Sequence, residues 1–234
     1  MRLAIFDIDG TLTQTNHVDT ECFLVAMARA LDLPTGHVDW TDAPHVTDAG
    51  ILEWLFDRHW NRAPTSDEVL AAKTELLSLL KRELAADPSR FDPVPGAREI
   101  FGRLTGAGWT LAMATGCWGV SAQLKLTAAK IHHAGMPLIC SDDAPMRTTL
   151  LSRAIDQAAD RCAAPFERIV SVGDALWDVA AAVGLGIPFV GIAVGEQAAR
   201  LREAGATNVL PDLSDPLALG RALEQAGVPQ RGIT

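Results

Sequence analysis

The chain opens on an unbroken apolar run, Leu3-Ala4-Ile5-Phe6, the pattern of a strand buried on both faces of a parallel sheet. From Asn16 the rhythm becomes helical. Phe23, Ala26, Met27, Ala30 and Leu31 share one face, Asp19 and Glu21 favour the positive end, and Pro34-Thr35-Gly36 is the expected stop. A looser segment runs from His37 to His45. A second helix then starts at Thr47 or Asp48, with Ile51, Leu52, Leu55, Phe56 and His59 on one side. Thr65-Ser66-Asp67-Glu68 reads as a capping box for a third helix, whose apolar positions from Val69 to Leu84 recur until Asp87-Pro88. Asp92-Pro93-Val94-Pro95-Gly96 is stiff at its prolines and reads as a hinge segment.

The second half alternates. A helix carrying Ala97, Ile100, Phe101 and Leu104 precedes a strand at Trp109–Ala114 that ends on Thr115-Gly116. A helix and a short strand at Pro137–Cys140 follow, then a helix from about Thr148. A strand at Arg168–Val172 ends on Gly173-Asp174, and an alanine-rich helix leads to a strand at Pro188–Ala193. Strands alternating with helices predict an α/β protein, a Rossmann-like parallel sheet doubly wound on both faces. The expected organisation is an α/β core, residues 1–14 and 92–234, interrupted by a helical insertion, residues 15–91, with a frayed tail after Val228.

Composition narrows the partners. With 234 residues, 48% of them hydrophobic, the chain can bury a core and hold one insertion. A net charge of −9 and a pI near 5.1 argue against a nucleic-acid or anionic-membrane surface, but do not bar a small phosphorylated substrate met by local cations. Cys22, Cys117, Cys140 and Cys162 form no Cys-x-x-Cys pair and read as reduced core thiols. Asp7 and Asp9 fall where a signal peptide would be apolar, and the uncharged stretch Val179–Gly195 is short and broken by glycines and Pro188. A cytoplasmic protein of unspecified oligomeric state is expected.

Two carboxylates, Asp7 and Asp9, interrupt the first strand just before Gly10. Burying them beside Ile5, Phe6 and Ile8 is costly unless a cation compensates. Acids at the carboxyl end of a parallel strand, where open sheets bind ligands, point to a divalent metal with oxygen ligands, Mg²⁺. Thr115-Gly116 sits where a strand gives way to a helix, a place suited to an anion. In Gly173-Asp174-Ala175-Leu176-Trp177-Asp178 the two acids stand at i and i+4, a spacing that puts both on one face of an opening helix.

The string Asp7-Ile8-Asp9-Gly10-Thr11-Leu12, followed by Ala-Thr-Gly at 114–116 and Gly-Asp-x-x-x-Asp at 173–178, resembles the haloacid dehalogenase-like hydrolase superfamily. The insertion between the first two motifs resembles its helical-cap, phosphoglycolate phosphatase-like branch. The resemblance implies Asp7 as the nucleophile that takes the phosphoryl group. It implies Asp9 as the group that protonates the leaving oxygen and later activates water. It further implies phosphate contacts at Gly10, Thr115 and Gly116, and Mg²⁺ held by Asp7, the carbonyl of Asp9 and Asp174, with Asp178 a direct ligand or the holder of a metal-bound water. Where the family places a lysine, often as Lys-Pro, this chain offers Arg147, the expected cation beside Asp7 and the phosphate; Lys125 and Lys130 are the other candidates, of little consequence if they lie on a helix surface. In the insertion, Thr47-Asp48-Ala49-Gly50 resembles a substrate-contacting loop, and His17, His37, His45, His59, Trp40, Trp54 and Trp60 are further candidates. Trp118 is expected to wall the pocket or fill a helix face. The expected activity is Mg²⁺-dependent hydrolysis of a small phosphorylated metabolite through an aspartyl phosphate. A phosphomutase on the same core is the alternative, and a receiver-type signalling module a remote one.

Overall fold

The computed structural model describes residues 1–34 and 42–230. His37, Trp40, the stop at Thr35-Gly36 and the end of the tail therefore lie outside the described residues. Within them, six strands form one all-parallel sheet in the order β3-β2-β1-β4-β5-β6. They are β1 (Arg2–Phe6), β2 (Trp109–Ala114), β3 (Leu138–Ile139), β4 (Arg168–Gly173), β5 (Phe189–Ile192) and β6 (Asn208–Leu210). In register, Phe6 of β1 pairs with Met113 on one side and Val172 on the other. This is why the opening run is apolar at every position: Leu3, Ala4, Ile5 and Phe6 meet helices on both faces.

One face packs Phe6, Trp109 and Val190 against α4 (Ala97–Gly106), α5 (Gly119–Ala128) and α9 (Pro216–Gln225). The other packs Leu3, Ile5 and Phe189 against α6 (Arg147–Cys162), α7 (Leu176–Leu185) and α8 (Gly195–Glu203). Between β1 and α4 come α1 (Asn16–Leu31), α2 (Asp48–Trp60) and α3 (Ser66–Ala86). These share a third cluster of their own, which Trp118 joins from the edge of α5. Trp118 therefore fills a helix face, 1% exposed beside Phe23, and does not wall the pocket. The α3 capping box forms as its sequence predicts, Thr65 Oγ1 accepting from the Glu68 backbone N–H while Glu68 accepts from Thr65 N.

Three elements escape the sequence reading. β6 is three half-buried residues, too short to show a period, and α8 precedes it and α9 follows it in the same stretch. The strand expected at Pro137–Cys140 contracts to two residues, because the Cys140 N–H turns to the Asp143 carboxylate at 2.8 Å and leaves the ladder. Among the described residues no helix is long and apolar enough to cross a membrane.

The two chain crossings between sheet and insertion are laced together. Thr13 and Pro93 form an antiparallel bridge, Gln14 N donates to Asp92 O at 2.8 Å, and Val94 N donates to Leu12 O at 2.9 Å. Gly96 then turns at φ +84°, where a Cβ would lie 2.1 Å from Leu213 O, so this position accepts only glycine without displacing the chain.

Candidate active site

The strand order places β1 between β2 and β4, and the winding changes direction there. Open sheets bind ligands outside the strand ends at such a point. Asp7 follows the end of β1, Thr115 follows β2 and Asp174 follows β4, so three distant motifs meet over one crevice. The crevice is a cavity of about 360 Å³, floored by Asp7, Asp9, Arg147 and Asp174 and roofed by α1 and α2.

Asp7, Asp174 and Asp178 each offer a carboxylate oxygen within 4.8 Å of the others. Asp7 Oδ1 is buried without a hydrogen-bond partner. Asp174 Oδ2 accepts from Asn16 Nδ2 at 2.9 Å. Both Asp178 oxygens already have donors, Arg147 Nη1 at 2.6 Å and Ala175 N at 3.1 Å. An orphaned buried carboxylate oxygen beside two more acids fits a hard divalent cation, with Asp178 better suited to the outer role. Gly10, at φ +75°, makes room for this: a Cβ would sit 2.1 Å from Asp174 Oδ2.

The expected i, i+4 helical face is not how these acids converge. α7 begins only at Leu176 after an extended Ala175, so Asp174 reaches the site from the loop and Asp178 from the first turn. Nor do Asp7 and Asp9 share a strand face, since β1 ends at Phe6. Asp7 turns towards Asp178 and Arg147, whereas Asp9 accepts from Lys125 Nζ at 2.9 Å and from Thr15 Oγ1 at 2.5 Å.

The cations divide. Arg147 lies 3.7 Å from Asp7 and is hydrogen-bonded instead to Asp178, with Nε donating to Val46 O at 3.0 Å and the guanidinium over Trp177. Gly116 allows this, because a Cβ there would lie 2.6 Å from Arg147 Nη2. Lys125 is not a surface residue. It is 0% exposed, on the stripe of α5 that holds Ser121, Ala122 and Leu126, and its ammonium sits 2.8 Å from Asp9 and 2.5 Å from Asp19. Lys130 lies exposed beyond the end of α5 at φ +57°.

Electrostatics follow from burial and pairing. Burial, then the neighbouring Asp178, raise Asp7 to about 7, and the Arg147 charge does not undo this. Arg147 alone therefore does not hold the expected nucleophile ionised. Asp174 is pushed well up by burial and by Asp178 and Asp7; Asp178 is raised by burial despite Arg147. Asp9 is the exception: burial would raise it, but Lys125 and its hydrogen bonds bring it below the usual carboxylate range. Burial opposes the Lys125 charge, but Asp19 and Asp9 hold it well above its ordinary value. The cavity-lining Cys117 is pushed well up by burial, which keeps it a thiol rather than a nucleophile.

Thr115 stands behind Asp7 rather than in the main cavity, its hydroxyl 3.0 Å from Cys117 Sγ and accepting from Cys117 N at 3.3 Å. Gly116 lines the cavity itself. From the expected contact loop, Thr47 and Asp48 line it too; of the candidate histidines and tryptophans in the insertion, His17 does among the described residues. Sequence reasoning missed Asn16, Asp19, Trp177 and Gln197 as members of the site. Asn16 and Asp19 passed for an ordinary helix start. Lys125 carried a usable signal, a charge on the apolar stripe of its helix.

The chain folds like solved structures of this architecture. It superposes on a hydrolase from Pseudomonas syringae with TM-score 0.69 at 23% identity, covering 93% of this chain and 96% of that one. A putative beta-phosphoglucomutase from Bacteroides vulgatus gives TM-score 0.67 at 19% identity, covering 96% and 91%. A phosphoglycolate phosphatase from Agrobacterium fabrum is 27% identical over 199 residues, 82% of this chain and 81% of that protein. The haloacid dehalogenase-like hydrolase family model matches residues 1–186. The chain belongs to the haloacid dehalogenase-like hydrolases.

The acid cluster makes the metal-free protein pH-sensitive. Above pH 3.8, the ordinary aspartate value, the unfolded chain has released a proton that the folded chain keeps on Asp7 until about pH 7. Stability of the metal-free protein is therefore expected to fall as pH rises through this window. Thermal melts with and without Mg²⁺ at pH 5.5 and pH 8 check it. Mg²⁺ should raise the melting temperature much more at pH 8, and an equal rise at both would contradict the assignment of the site.

Proposed function

We propose that this phosphatase hydrolyses a small phosphorylated metabolite, with Mg²⁺ as cofactor, through a phosphoryl group carried on Asp7. The observation that carries the reading is the partnerless Asp7 oxygen, grouped with Asp174 and Asp178 at the mouth of the sheet. Mg²⁺ would be held by Asp7 and Asp174, with Asp178 in support; it would neutralise phosphate charge and favour the ionised form of Asp7.

The chain's own groups do the rest. The Asp7 carboxylate attacks phosphorus in line as the ester P–O bond breaks. Arg147, held by Asp178, Val46 O and Trp177, offsets charge on the phosphoryl oxygens. Asp9 gives the leaving oxygen a proton and later takes one from the attacking water, which releases phosphate and restores Asp7. Asp9 starts ionised beside Lys125, so its proton must arrive with the substrate, whose negative charge raises its affinity for protons. α1 and α2 act as the helical cap that closes over the ester.

Release of inorganic phosphate from a panel of phosphate esters should require Mg²⁺ and stop with EDTA. Undiminished activity after chelation would reject the metal role. Conversion to an isomeric phosphate without release would favour a mutase.

A further inference from the structure

The roof of the cavity is chemically one-sided. Arg147 is the only lysine or arginine on the lining among the described residues, and it lies on the floor. Lys125 is fully buried and spent on Asp9 and Asp19. Above the floor, α1 and the start of α2 contribute two carboxylates, Asp19 and Asp48, with Thr20, Thr47 and the apolar Phe23 and Ile51. Asp48 is 6% exposed. Its Oδ2 accepts from Trp118 N at 2.7 Å, and Oδ1 has no protein partner among the described residues. A carboxylate oxygen that opens on the cavity with no protein donor is free to accept from a ligand.

A second anion on the substrate would face Asp19 and Asp48, and the cation nearest to them, Lys125, is already paired with Asp9 and Asp19. A primary ammonium would meet Asp48 Oδ1 and complete its hydrogen bonding. We propose that the substrate is the phosphate monoester of a short amino alcohol, with Asp48 as the acceptor for its ammonium group. This rests on the phosphatase reading and sets the chain apart from its carboxylate-named relative, the Agrobacterium fabrum phosphoglycolate phosphatase. Burial and the nearby Asp19 push the Asp48 carboxyl well up despite the Lys125 charge, and an ammonium group beside it would oppose that shift. Apolar Phe23 and Ile51 suit the carbon chain between the two charged ends.

The test compares kcat/KM for phosphoethanolamine, 2-hydroxyethyl phosphate and phosphoglycolate, esters of matched size, with p-nitrophenyl phosphate as control and Mg²⁺ present. Phosphoethanolamine should lead the neutral ester by about tenfold or more and phosphoglycolate by more again, the scale of one hydrogen bond to a charged group. Asp48→Asn keeps an acceptor for Trp118 N and should lower the amine-to-neutral ratio about tenfold. A purely structural role for Asp48 would leave that ratio unchanged. Turnover of the control with the neutral or carboxylate ester equal to or ahead of the amine overturns the proposal but spares the phosphatase. Failure on all four esters sinks the phosphatase reading itself.

Discussion

Asp7→Asn is expected to remove the phosphoenzyme entirely and to lower turnover by about four to six decades, the scale on which losing a catalytic nucleophile acts. The same substitution should make the metal-free protein more stable at pH 8. Asn keeps the shape but carries no charge, so the repulsion that Asp174 and Asp178 exert on a buried carboxylate disappears. Activity and stability thus move in opposite directions, the signature of a strained functional site. Quenched-flow labelling with a phosphorylated substrate and a thermal melt without metal read the two effects. Label retained on the peptide containing residue 7, or a melting temperature that falls, would contradict the assignment.

The sequence carried the sheet and its chemistry to different depths. β1, β2 and β4 were legible because they are buried on both faces and read as apolar runs ending in an acid, a threonine or a glycine-aspartate pair. The Asp7–Asp174–Asp178 cluster was legible because each motif closes a strand and the winding order brings the ends of β1 and β4 side by side. Asp19 was not, because an acid in the first helical turn is what helix electrostatics alone would select. Asp48 was legible as a member of the contact loop at residues 47–50, although its place at a helix start gave no hint of its burial. Lys125 was a candidate cation, of little consequence if on a helix surface; its place on the apolar stripe of α5 hinted at burial, and the acids above it, Asp9 and Asp19, explain that burial through tertiary structure.

Lys125→Ala and Arg147→Ala are expected to be damaging in distinguishable ways. Removing Lys125 leaves Asp9 and Asp19 buried without a counter-charge, at a cost of about 3–5 kcal/mol. Lys125→Met, which restores the stem but not the charge, should recover little. Asp9 should then bind its proton more tightly, which shifts the alkaline side of the rate profile to higher pH. Arg147→Ala leaves Asp178 and Asp7 exposed to each other, but Mg²⁺ supplies positive charge at that same cluster. Its stability should therefore recover on adding Mg²⁺, whereas its rate stays down by about two to four decades; Arg147→Lys should restore part of the rate. Melting curves with and without Mg²⁺ for Lys125→Ala, Lys125→Met and Arg147→Ala decide the point. Rescue of Lys125→Ala by Mg²⁺ would merge the two cation roles into one.

The laced crossing at Thr13–Pro93 has a mechanical consequence. Two loose linkers would let the helices over the cavity swing and spin independently of the sheet. Here both linkers run side by side, tied by the Gln14–Asp92 and Val94–Leu12 bonds and anchored at Gly96 against Leu213. A paired ribbon bends readily across its width and resists torsion. Motion of the roof is thereby expected to follow one rocking coordinate, along which Asp48 would lift away from Arg147 and return to the same register.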